Sequence, residues 1–353
     1  MKLKIADSTN TQYDLVSLGE VMLRFDPGDS RIRNARSFRI WEGGGEYNVA
    51  RGLTSCFGQT TAIITALVDN EIGRLVQNRI REGGVDDSWI KWAADDGMGD
   101  TARNGLYFWE SGFGIRGAAG ASDRAHTAIS QLAPGDIDWN SLFKKCGVRW
   151  FHTGGIFAGL SDQTSAIAAE AMQAAKKHGA VVSYDLNYRP SVWKRRGGKK
   201  TADTINNQLL RHADILFGVE SLEQQPDSLD GKPFRDAILK MVARHPHLKA
   251  AASTMRLVRS ANVNDWSGLL WQNDTFYQGL KLEKLEMSDR VGGGDAFASG
   301  LIYGFLDGKT PEEVIQYGVI HGALTMTTPG DNSMVSKNEV EAFLHARNPG
   351  INR

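Results

Sequence analysis

The stretch Asp289-Arg290-Val291-Gly292-Gly293-Gly294-Asp295 runs directly into the apolar residues 296–303, a pattern typical of a glycine-rich turn that opens a buried helix. The first backbone N–H groups of such a helix have no carbonyl partner. Together with the positive end of the helix dipole they form a site for an anion. Glycine suits this position because a residue without a Cβ atom lets the oxygen atoms of a ligand approach the backbone closely. The stretch therefore predicts a binding site for an anion of the size of a phosphate group.

The last residue of the stretch is Asp295, whose negative charge would repel a phosphate group. A carboxylate at this position therefore indicates a chemical task. Accepting a proton from a hydroxyl group that attacks the phosphate is such a task. Asp295 is therefore predicted to be the catalytic base of a phosphoryl transfer. A glycine-rich turn followed by Asp is also compatible with an ordinary loop and a helix N-cap, so the prediction depends on the rest of the chain.

The charges of the 353-residue chain balance, because 41 Lys and Arg residues face 41 Asp and Glu residues. Such a composition indicates no surface for a polyanion, and the glycine-interrupted basic cluster at residues 194–200 is predicted to be a solvated loop. No apolar run approaches the roughly 18 residues of a membrane span, and the two cysteines, Cys56 and Cys146, offer no disulfide framework. We therefore expect a cytoplasmic protein with no nucleic-acid partner and no membrane partner.

Short apolar runs alternate with helix-like segments over most of the chain. Strand–helix–strand alternation implies a parallel sheet that is covered by helices on both faces, so the sequence predicts an α/β fold. The predicted strands are residues 13–18, 61–65, 148–152, 180–185 and 213–217, and the predicted helices lie near residues 46–57, 70–83, 162–178 and 202–211.

Two segments, residues about 20–43 and about 100–120, break this rhythm with strand-like alternation and no helices. They are predicted to form a small separate sheet over one end of the main sheet. Such a sheet could act as a lid, and lids exclude water from a phosphate group that is being transferred. The chain is then a single domain over residues 1–353, with a lid that is discontinuous in sequence.

Candidate binding residues follow two of the predicted strands, where ligands of open parallel sheets are found. Residues 185–189 leave the end of one strand, and residues 218–220 leave the end of another. Arg189 could pair with a carboxylate through two hydrogen bonds, although a solvent-exposed arginine is the other interpretation.

A second glycine-rich helix start lies at residues 43–50, Gly-Gly-Gly-Glu-Tyr-Asn-Val-Ala. Its backbone could approach a polyol, and Asn48 offers both a donor and an acceptor to hydroxyl groups; a turn with a cap is the alternative. Residues 112–117 match the G-x-G-x-x-G spacing of dinucleotide sites, but no helix-like segment follows them. A nicotinamide-dependent dehydrogenase is therefore only a distant alternative.

Residues 289–295 with their helix, together with residues 43–50, resemble the two signatures of the ribokinase-like (PfkB) sugar kinases. The similarity runs in the right order over nearly the whole chain. It implies a ribokinase-like α/β fold, in which a central mostly parallel sheet is flanked by helices and carries a small β-sheet lid. It also implies phosphorylation of a sugar hydroxyl with ATP and Mg²⁺. Residues 19–27, 185–189 and 263–266 are similar to members that act on the terminal hydroxyl of 2-keto-3-deoxygluconate.

The resemblance implies roles for individual residues. Asp295 corresponds to the base on the sugar hydroxyl. Two arginines at the acid end of the substrate favour an anionic keto-acid, because a neutral sugar would leave them without a partner. The N–H groups implied to hold the transferred phosphate belong to Gly292, Gly293 and Gly294; the residues implied to bind the sugar are Gly44, Asn48, Tyr107, Arg124 and Arg189; and those implied to bind ATP are Thr254, Arg256, Gly292 and Gly294.

The chain departs from the family where Asn, and Glu three positions later, often organise water around magnesium. Val219 and Leu222 stand at these positions, with Glu220 and Glu223 nearby. No direct metal ligand is predicted, and Glu220 could act through water. The alternatives are a kinase for 2-keto-3-deoxygalactonate, fructose or ribose, or a sugar-binding homologue without catalysis. The resemblance also makes a homodimer through the lid plausible.

Overall fold

The apolar runs of the sequence form a ten-stranded sheet in the computed structural model, which describes residues 3–220 and 228–346. The strands of these residues are β1 (Tyr13–Leu18), β2 (Met22–Asp26), β3 (Arg39–Gly43), β4 (Thr61–Val68), β5 (Ile90–Ala93), β6 (Leu106–Glu110), β7 (Ala119–Asp123), β8 (Val148–Gly154), β9 (Val181–Asp185), β10 (Ile215–Phe217), β11 (Ala250–Val258), β12 (Val263–Gln272), β13 (Thr275–Gln278) and β14 (Leu282–Glu286). The α-helices are α1 (Gly45–Phe57), α2 (Glu71–Glu82), α3 (Gly155–Gly159), α4 (Asp162–Lys177), α5 (Pro190–Trp193), α6 (Gly198–Leu209), α7 (Lys232–Arg244), α8 (Gly293–Leu306), α9 (Pro311–Thr325) and α10 (Lys337–Ala346).

The large sheet has the strand order β13-β12-β11-β10-β9-β8-β1-β4-β5. Neighbours from β11 through β5 are parallel, whereas β12 runs antiparallel to β11, β13 and β14. Consecutive residues of a strand pack into different cores: Leu15 lies in one apolar cluster and Val16 in the other. This two-sided burial explains why the parallel strands are apolar throughout. The predicted α/β fold with a mostly parallel sheet is confirmed.

A separate four-stranded sheet has the order β3-β2-β6-β7 and confirms the small sheet predicted from the sequence. Strand β2 pairs antiparallel with β3 and parallel with β6, so the two distant segments of the chain meet side by side. Residues 112–117 lie in the connection between β6 and β7, where the side chains of Phe113 and Ile115 are exposed. A strand follows them instead of a helix, so their glycine spacing does not build a dinucleotide site.

Residues 194–200 are mostly exposed, as predicted, but the prediction that they form a loop is wrong. Residues Lys194–Arg196 form a 3-10 turn, and α6 begins at Gly198. The guanidinium group of Arg196 donates to the carbonyl oxygen of Ala158 at 2.8 Å, which anchors the turn. The charged residues were misleading because α6 is amphipathic and buries Ala202 and Leu209 on its other face.

Helices α1 and α8 pack against each other through small residues. A Cβ atom on Gly52 of α1 would lie 2.8 Å from the hydroxyl oxygen of Ser299 on α8, so glycine allows this close approach. The contact brings together the two glycine-rich helix starts, which are more than 200 positions apart in the sequence. No helix in the described parts of the chain is long and apolar enough to cross a membrane.

Candidate active site

The two glycine-rich helix starts are built by close backbone packing. Gly44 precedes α1, and a Cβ atom on it would lie 1.8 Å from the carbonyl oxygen of Glu20. Gly292 precedes α8 with a φ of +80°, and a Cβ atom there would lie 1.9 Å from the carbonyl oxygen of Asp331. Gly294, in contrast, is exposed, and a Cβ atom on it would have no neighbour within 4 Å. Of these three glycines, only Gly294 has open space on the side where a Cβ atom would stand.

Asp295 lies in the first turn of α8, beside the start of α1. The amide nitrogen Nδ2 of Asn48 donates to Oδ2 of Asp295 at 2.7 Å. A Cβ atom on Gly45 would lie 3.7 Å from both Asp295 Oδ1 and Asn187 Nδ2, so these groups surround one small space. The structure thus brings Asn48 and Asp295 together, as the two motifs predict.

The acidity of Asp295 is shifted toward neutral pH. Burial raises the pKa of its carboxyl group to about 7, and the negative charges of Asp185 and Asp331 add to the effect. The hydrogen bond from Asn48 and the charge of Arg189 lower the pKa and oppose this shift. A carboxylate with a pKa near the working pH is suited to general base catalysis, because it can both accept and release a proton.

Two more buried carboxyl groups interact electrostatically with Asp295. Asp185 ends β9, and burial raises its pKa to about 6. Glu46, in the first turn of α1, is only 4% exposed; burial, followed by the charges of Asp295 and Asp185, raises its pKa to about 8. Burial, with the charges of neighbouring carboxylates at Asp295 and Glu46, therefore keeps protons at the site near neutral pH.

The charges of the two predicted acid-end arginines act on these carboxyl groups. Arg124 donates to the buried carboxylate of Glu20, and its charge lowers the pKa of Glu46. Arg189 is exposed, and its charge lowers the pKa values of Asp185 and Asp295. An exposed guanidinium close to buried acids can receive a carboxylate ligand from solvent.

A positive region borders the glycine run. Thr254 and Arg256 are two positions apart on β11 and therefore point to the same face of the sheet. Burial lowers the pKa of Arg256, and the charges of Arg290 and Arg189 lower it further. Arg290 immediately precedes the glycine run, and its guanidinium carbon lies 5.5 Å from the ring centre of Trp109 in the small sheet. Neighbouring guanidinium groups that repel one another are suited to bind a polyphosphate.

An ion-pair network that the sequence did not reveal lies behind this region. The side chain of Arg24 is fully buried, and its guanidinium group pairs with Asp289 and with Asp331. The phenol of Tyr107 donates to Asp331. Burial holds the pKa of Tyr107 well above its usual range, and so does the charge of Asp331. One signal was available, since an arginine between Leu23 and Phe25 in an apolar strand requires buried partners.

Glu220, the residue that was predicted to contact magnesium through water, pairs with another side chain. The Oε2 atom of Glu220 lies 2.7 Å from Nη2 of Arg244, while Leu222 and Glu223 lie outside the described residues. Among the residues that the structure describes, no cluster of three or more His, Cys, Asp or Glu could hold a metal ion. The Glu220 side chain is 34% exposed, so its carboxylate could still meet Mg²⁺ through water.

Comparison with known proteins identifies the family. The model of the pfkB family carbohydrate kinases matches residues 149–338 of this chain. The chain belongs to that family. The predicted resemblance to this family is thereby confirmed, and this pfkB kinase is an enzyme that phosphorylates a carbohydrate. The matched residues include the glycine run at 289–295.

The similar proteins cover nearly all of this pfkB kinase. The 2-dehydro-3-deoxygalactonokinase of Haloferax volcanii is 28% identical over 349 residues, which span 96% of this chain and 99% of that protein. The 2-dehydro-3-deoxygluconokinase of Thermoproteus tenax is 26% identical over 355 residues, which span 96% and 97% of the two chains. The crystal structure of 2-dehydro-3-deoxygluconokinase from Thermotoga maritima superposes with a TM-score of 0.83 at 31% identity, covering 93% of this chain and 98% of that chain. The ribokinase-like fold is confirmed by this superposition.

Proposed function

We propose that this pfkB kinase transfers the γ-phosphoryl group of ATP to the terminal hydroxyl of 2-keto-3-deoxygluconate, which is also called 2-dehydro-3-deoxygluconate. The observation that carries the proposal is Asp295, a carboxylate with a pKa of about 7 in the first turn of a glycine-led helix. Two relatives that span nearly the whole chain bear the name of this activity, which supports the choice of substrate.

In the proposed reaction Asp295 accepts the proton of the terminal hydroxyl group as its oxygen attacks the γ-phosphorus. The new O–P bond forms in line with the bond to ADP, which breaks, and the proton later leaves Asp295 for solvent. The N–H groups of Gly292, Gly293 and Gly294, with the dipole of α8, stabilise the negative charge on the transferred group. Thr254 and Arg256 line the phosphates of ATP, and Mg²⁺, when bound, would supply further charge neutralisation there.

The substrate is proposed to be an acid because its carboxylate can pair with Arg124 and Arg189, while its hydroxyl groups contact Gly44 and Asn48. Tyr107 completes the sugar side of the site from the small sheet. The epimeric 2-keto-3-deoxygalactonate is the second candidate, because the relative from Haloferax volcanii is named for it. Fructose and ribose would offer no carboxylate to Arg189, whereas Arg124 would keep its pair with Glu20. A silent sugar-binding homologue would have no use for a carboxylate with a pKa of about 7.

The chain is proposed to work as a single domain whose small sheet covers the substrate. Its cysteines are free thiols, which supports the proposal of a cytoplasmic location. The exposed β7 at the edge of the small sheet supports the proposal that two copies pair there.

The proposal is tested by an assay that couples ADP release to a spectroscopic signal, with ATP, Mg²⁺ and five acceptors: 2-keto-3-deoxygluconate, 2-keto-3-deoxygalactonate, gluconate, fructose and ribose. We expect strong turnover with the keto-acids. Turnover with a neutral sugar alone would keep the kinase and overturn the role of the arginines. No turnover with any acceptor would overturn the proposed substrate class.

The variant Arg189→Ala separates acid recognition from catalysis in the same assay. Loss of a charge-assisted pair costs about 1.5–3 kcal/mol, so we expect KM for the keto-acid to rise about 10- to 100-fold. Arg195→Ala is the matched control, because Arg195 is also an exposed arginine and carries no proposed role. An unchanged KM in Arg189→Ala would remove this residue from the substrate site.

A further inference from the structure

Arg24 is a buried cation whose partners come from distant parts of the chain. Its side chain, on β2, is 0% exposed. Its Nη1 atom lies 2.6 Å from Oδ1 of Asp331, and its Nη2 atom pairs with Asp289 and lies 3.4 Å from Oδ2 of Asp26. Burial opposes the charge of Arg24, but the carboxylates of Asp331 and Asp289 outweigh that effect and raise its pKa. A guanidinium group in this position is held by its carboxylate partners, because an unpaired buried charge is strongly destabilising.

Asp331 contacts both glycine-rich helix starts. A Cβ atom on Gly292 would lie 1.9 Å from its carbonyl oxygen, and a Cβ atom on Gly43 would lie 2.3 Å from its Oδ2 atom. Its carboxylate also accepts the hydrogen bond from the phenol of Tyr107. One residue therefore touches the glycine run, the end of β3 and the β6 strand of the small sheet.

Asp289 connects this ion-pair network to the backbone of the proposed phosphate site. Its Oδ2 atom pairs with Arg24, while its Oδ1 atom accepts the backbone N–H of Val291 at 3.1 Å. Val291 is the residue directly before the glycine run. The Arg24 guanidinium group is therefore linked, through the carboxylate of Asp289, to the backbone that leads into Gly292.

We propose that Arg24 is a positioning residue that couples sugar binding at the small sheet to nucleotide binding at the glycine run. A sugar that holds Tyr107 in place also fixes the position of Asp331 through the phenol hydrogen bond. Arg24 pairs with both Asp331 and Asp289, so it then fixes Asp289 and the backbone that follows. Each ligand thus orders part of the site of the other, and the coupling must be reciprocal. The inference rests on the proposed function, because it concerns the same sugar and nucleotide.

The test is a binding measurement that needs no turnover. 2-Keto-3-deoxygluconate is titrated into the full-length protein by calorimetry, with and without a saturating, non-hydrolysable imido analogue of ATP and Mg²⁺. We expect the analogue to lower the Kd of the sugar by about fivefold or more in the wild type, within the usual range of coupling between sites. In Arg24→Met this ratio of the two Kd values is expected to fall to about 1, whereas a purely structural role would leave the ratio unchanged.

The control is Arg31→Met, which removes an arginine beside the same small sheet. The Arg31 side chain is 44% exposed and pairs with Glu110, and Glu110 keeps the backbone N–H of Ile32 as a partner. This variant is expected to retain the wild-type ratio. If it loses the ratio as fully as Arg24→Met does, the coupling belongs to the sheet in general and the role of Arg24 is overturned.

A second variant covers the case in which Arg24→Met fails to fold because Asp289 and Asp331 lose their cation. Tyr107→Phe removes the phenol hydrogen bond to Asp331 and leaves every ion pair in place. Its ratio of Kd values is expected to fall toward 1. The inference is overturned if folded Tyr107→Phe keeps the wild-type ratio of Kd values, or if the wild-type ratio is itself near 1. If the wild type turns over in the ADP-release assay, the proposed function stands in either case. Absence of keto-acid binding while the ATP analogue still binds overturns the proposed substrate, and the inference with it.

Discussion

Asp295 has both the position and the acidity that a general base needs. It lies in the first turn of α8 and accepts a hydrogen bond from Asn48, and its pKa of about 7 allows proton transfer near neutral pH. The sequence predicted this residue from its place after a glycine run. The acids Asp185 and Asp331, which raise its pKa together with burial, come from other parts of the chain and are visible only in the folded chain.

Replacement of this residue tests the assignment of the base. Asp295→Asn preserves the size of the side chain but cannot accept the proton, so we expect kcat to fall by about 10³-fold or more. The ADP-release assay measures the rate, and a thermal melt of the same sample shows that the fold is kept. A variant with most of its activity intact would assign the base elsewhere.

The raised pKa of Asp295 also predicts a pH dependence. The base acts when it is deprotonated, so kcat/KM should rise about tenfold per pH unit below pH 7 and level off above it. Removal of the hydrogen bond in Asn48→Leu should move this limb to higher pH, because that bond lowers the pKa. A profile that is flat between pH 5 and 8 would contradict the assignment.

The same shift links folding to pH with a defined sign. The pKa of Asp295 in the folded chain, about 7, lies above its ordinary value of 3.8, so the folded state binds the proton more tightly. The contribution of this residue to stability is therefore full below about pH 4 and is lost as the pH rises through about 7. Urea unfolding should show that Asp295→Asn gains stability relative to the wild type between pH 5 and pH 8. A constant difference across this range would contradict the shifted pKa.

At the scale of the elements, the glycine-led start of α8 contains glycines with two different tasks. Gly292 has a φ of +80° and no room for a Cβ atom, whereas Gly294 is helical and open to solvent. Gly292→Ala should therefore lower the melting temperature strongly. Gly294→Ala should leave it unchanged or slightly higher, because alanine favours the helix, yet raise KM for ATP about tenfold by crowding the phosphate. Equal melting temperatures for the two variants would contradict this division of tasks.

Elements with a strong local pattern were predictable from the sequence. The bounds of β1, Tyr13–Leu18, are those of the predicted strand, because a short apolar run between polar residues is a local signal. Strand β7 was harder to predict, since Ala119–Asp123 is rich in small residues and fully exposed. Helix α6 was missed at its start, because its basic residues hid the buried face.

The ion-pair network shows why part of the site could not be predicted. Arg24 and Asp331 are separated by 307 positions, and no residue near either one specifies its partner. The glycine motifs are different, because each carries its backbone requirement within a few residues. The roles of Gly44, Tyr107, Arg124, Arg189, Thr254 and Arg256 stay predictions that the proposed experiments test.

At the scale of the whole molecule, the exposed edge of the small sheet predicts self-association. The residues of β7 are exposed, and Phe113 and Ile115 in the adjoining turn present apolar side chains to solvent. Light scattering should give a mass near twice the 38.7 kDa of the chain. Ile115→Lys should shift the mass toward the monomer, and Leu239→Lys, which alters an exposed apolar residue on α7, should not. A monomer in the wild type at micromolar concentration would contradict the dimer.

The separation of Arg24 from Asp331 has a consequence for biosynthesis. A ribosome that has already made the small sheet, Arg124, Arg189 and the glycine run has not yet made Asp331, which follows Arg24 by 307 positions. Domains assemble from the amino terminus during synthesis, but here Arg24, the first charged residue of β2, meets Asp331 only after 307 further residues have been made. Prematurely terminated products that stop before residue 331 therefore lack the ion pair that joins the two halves of the site.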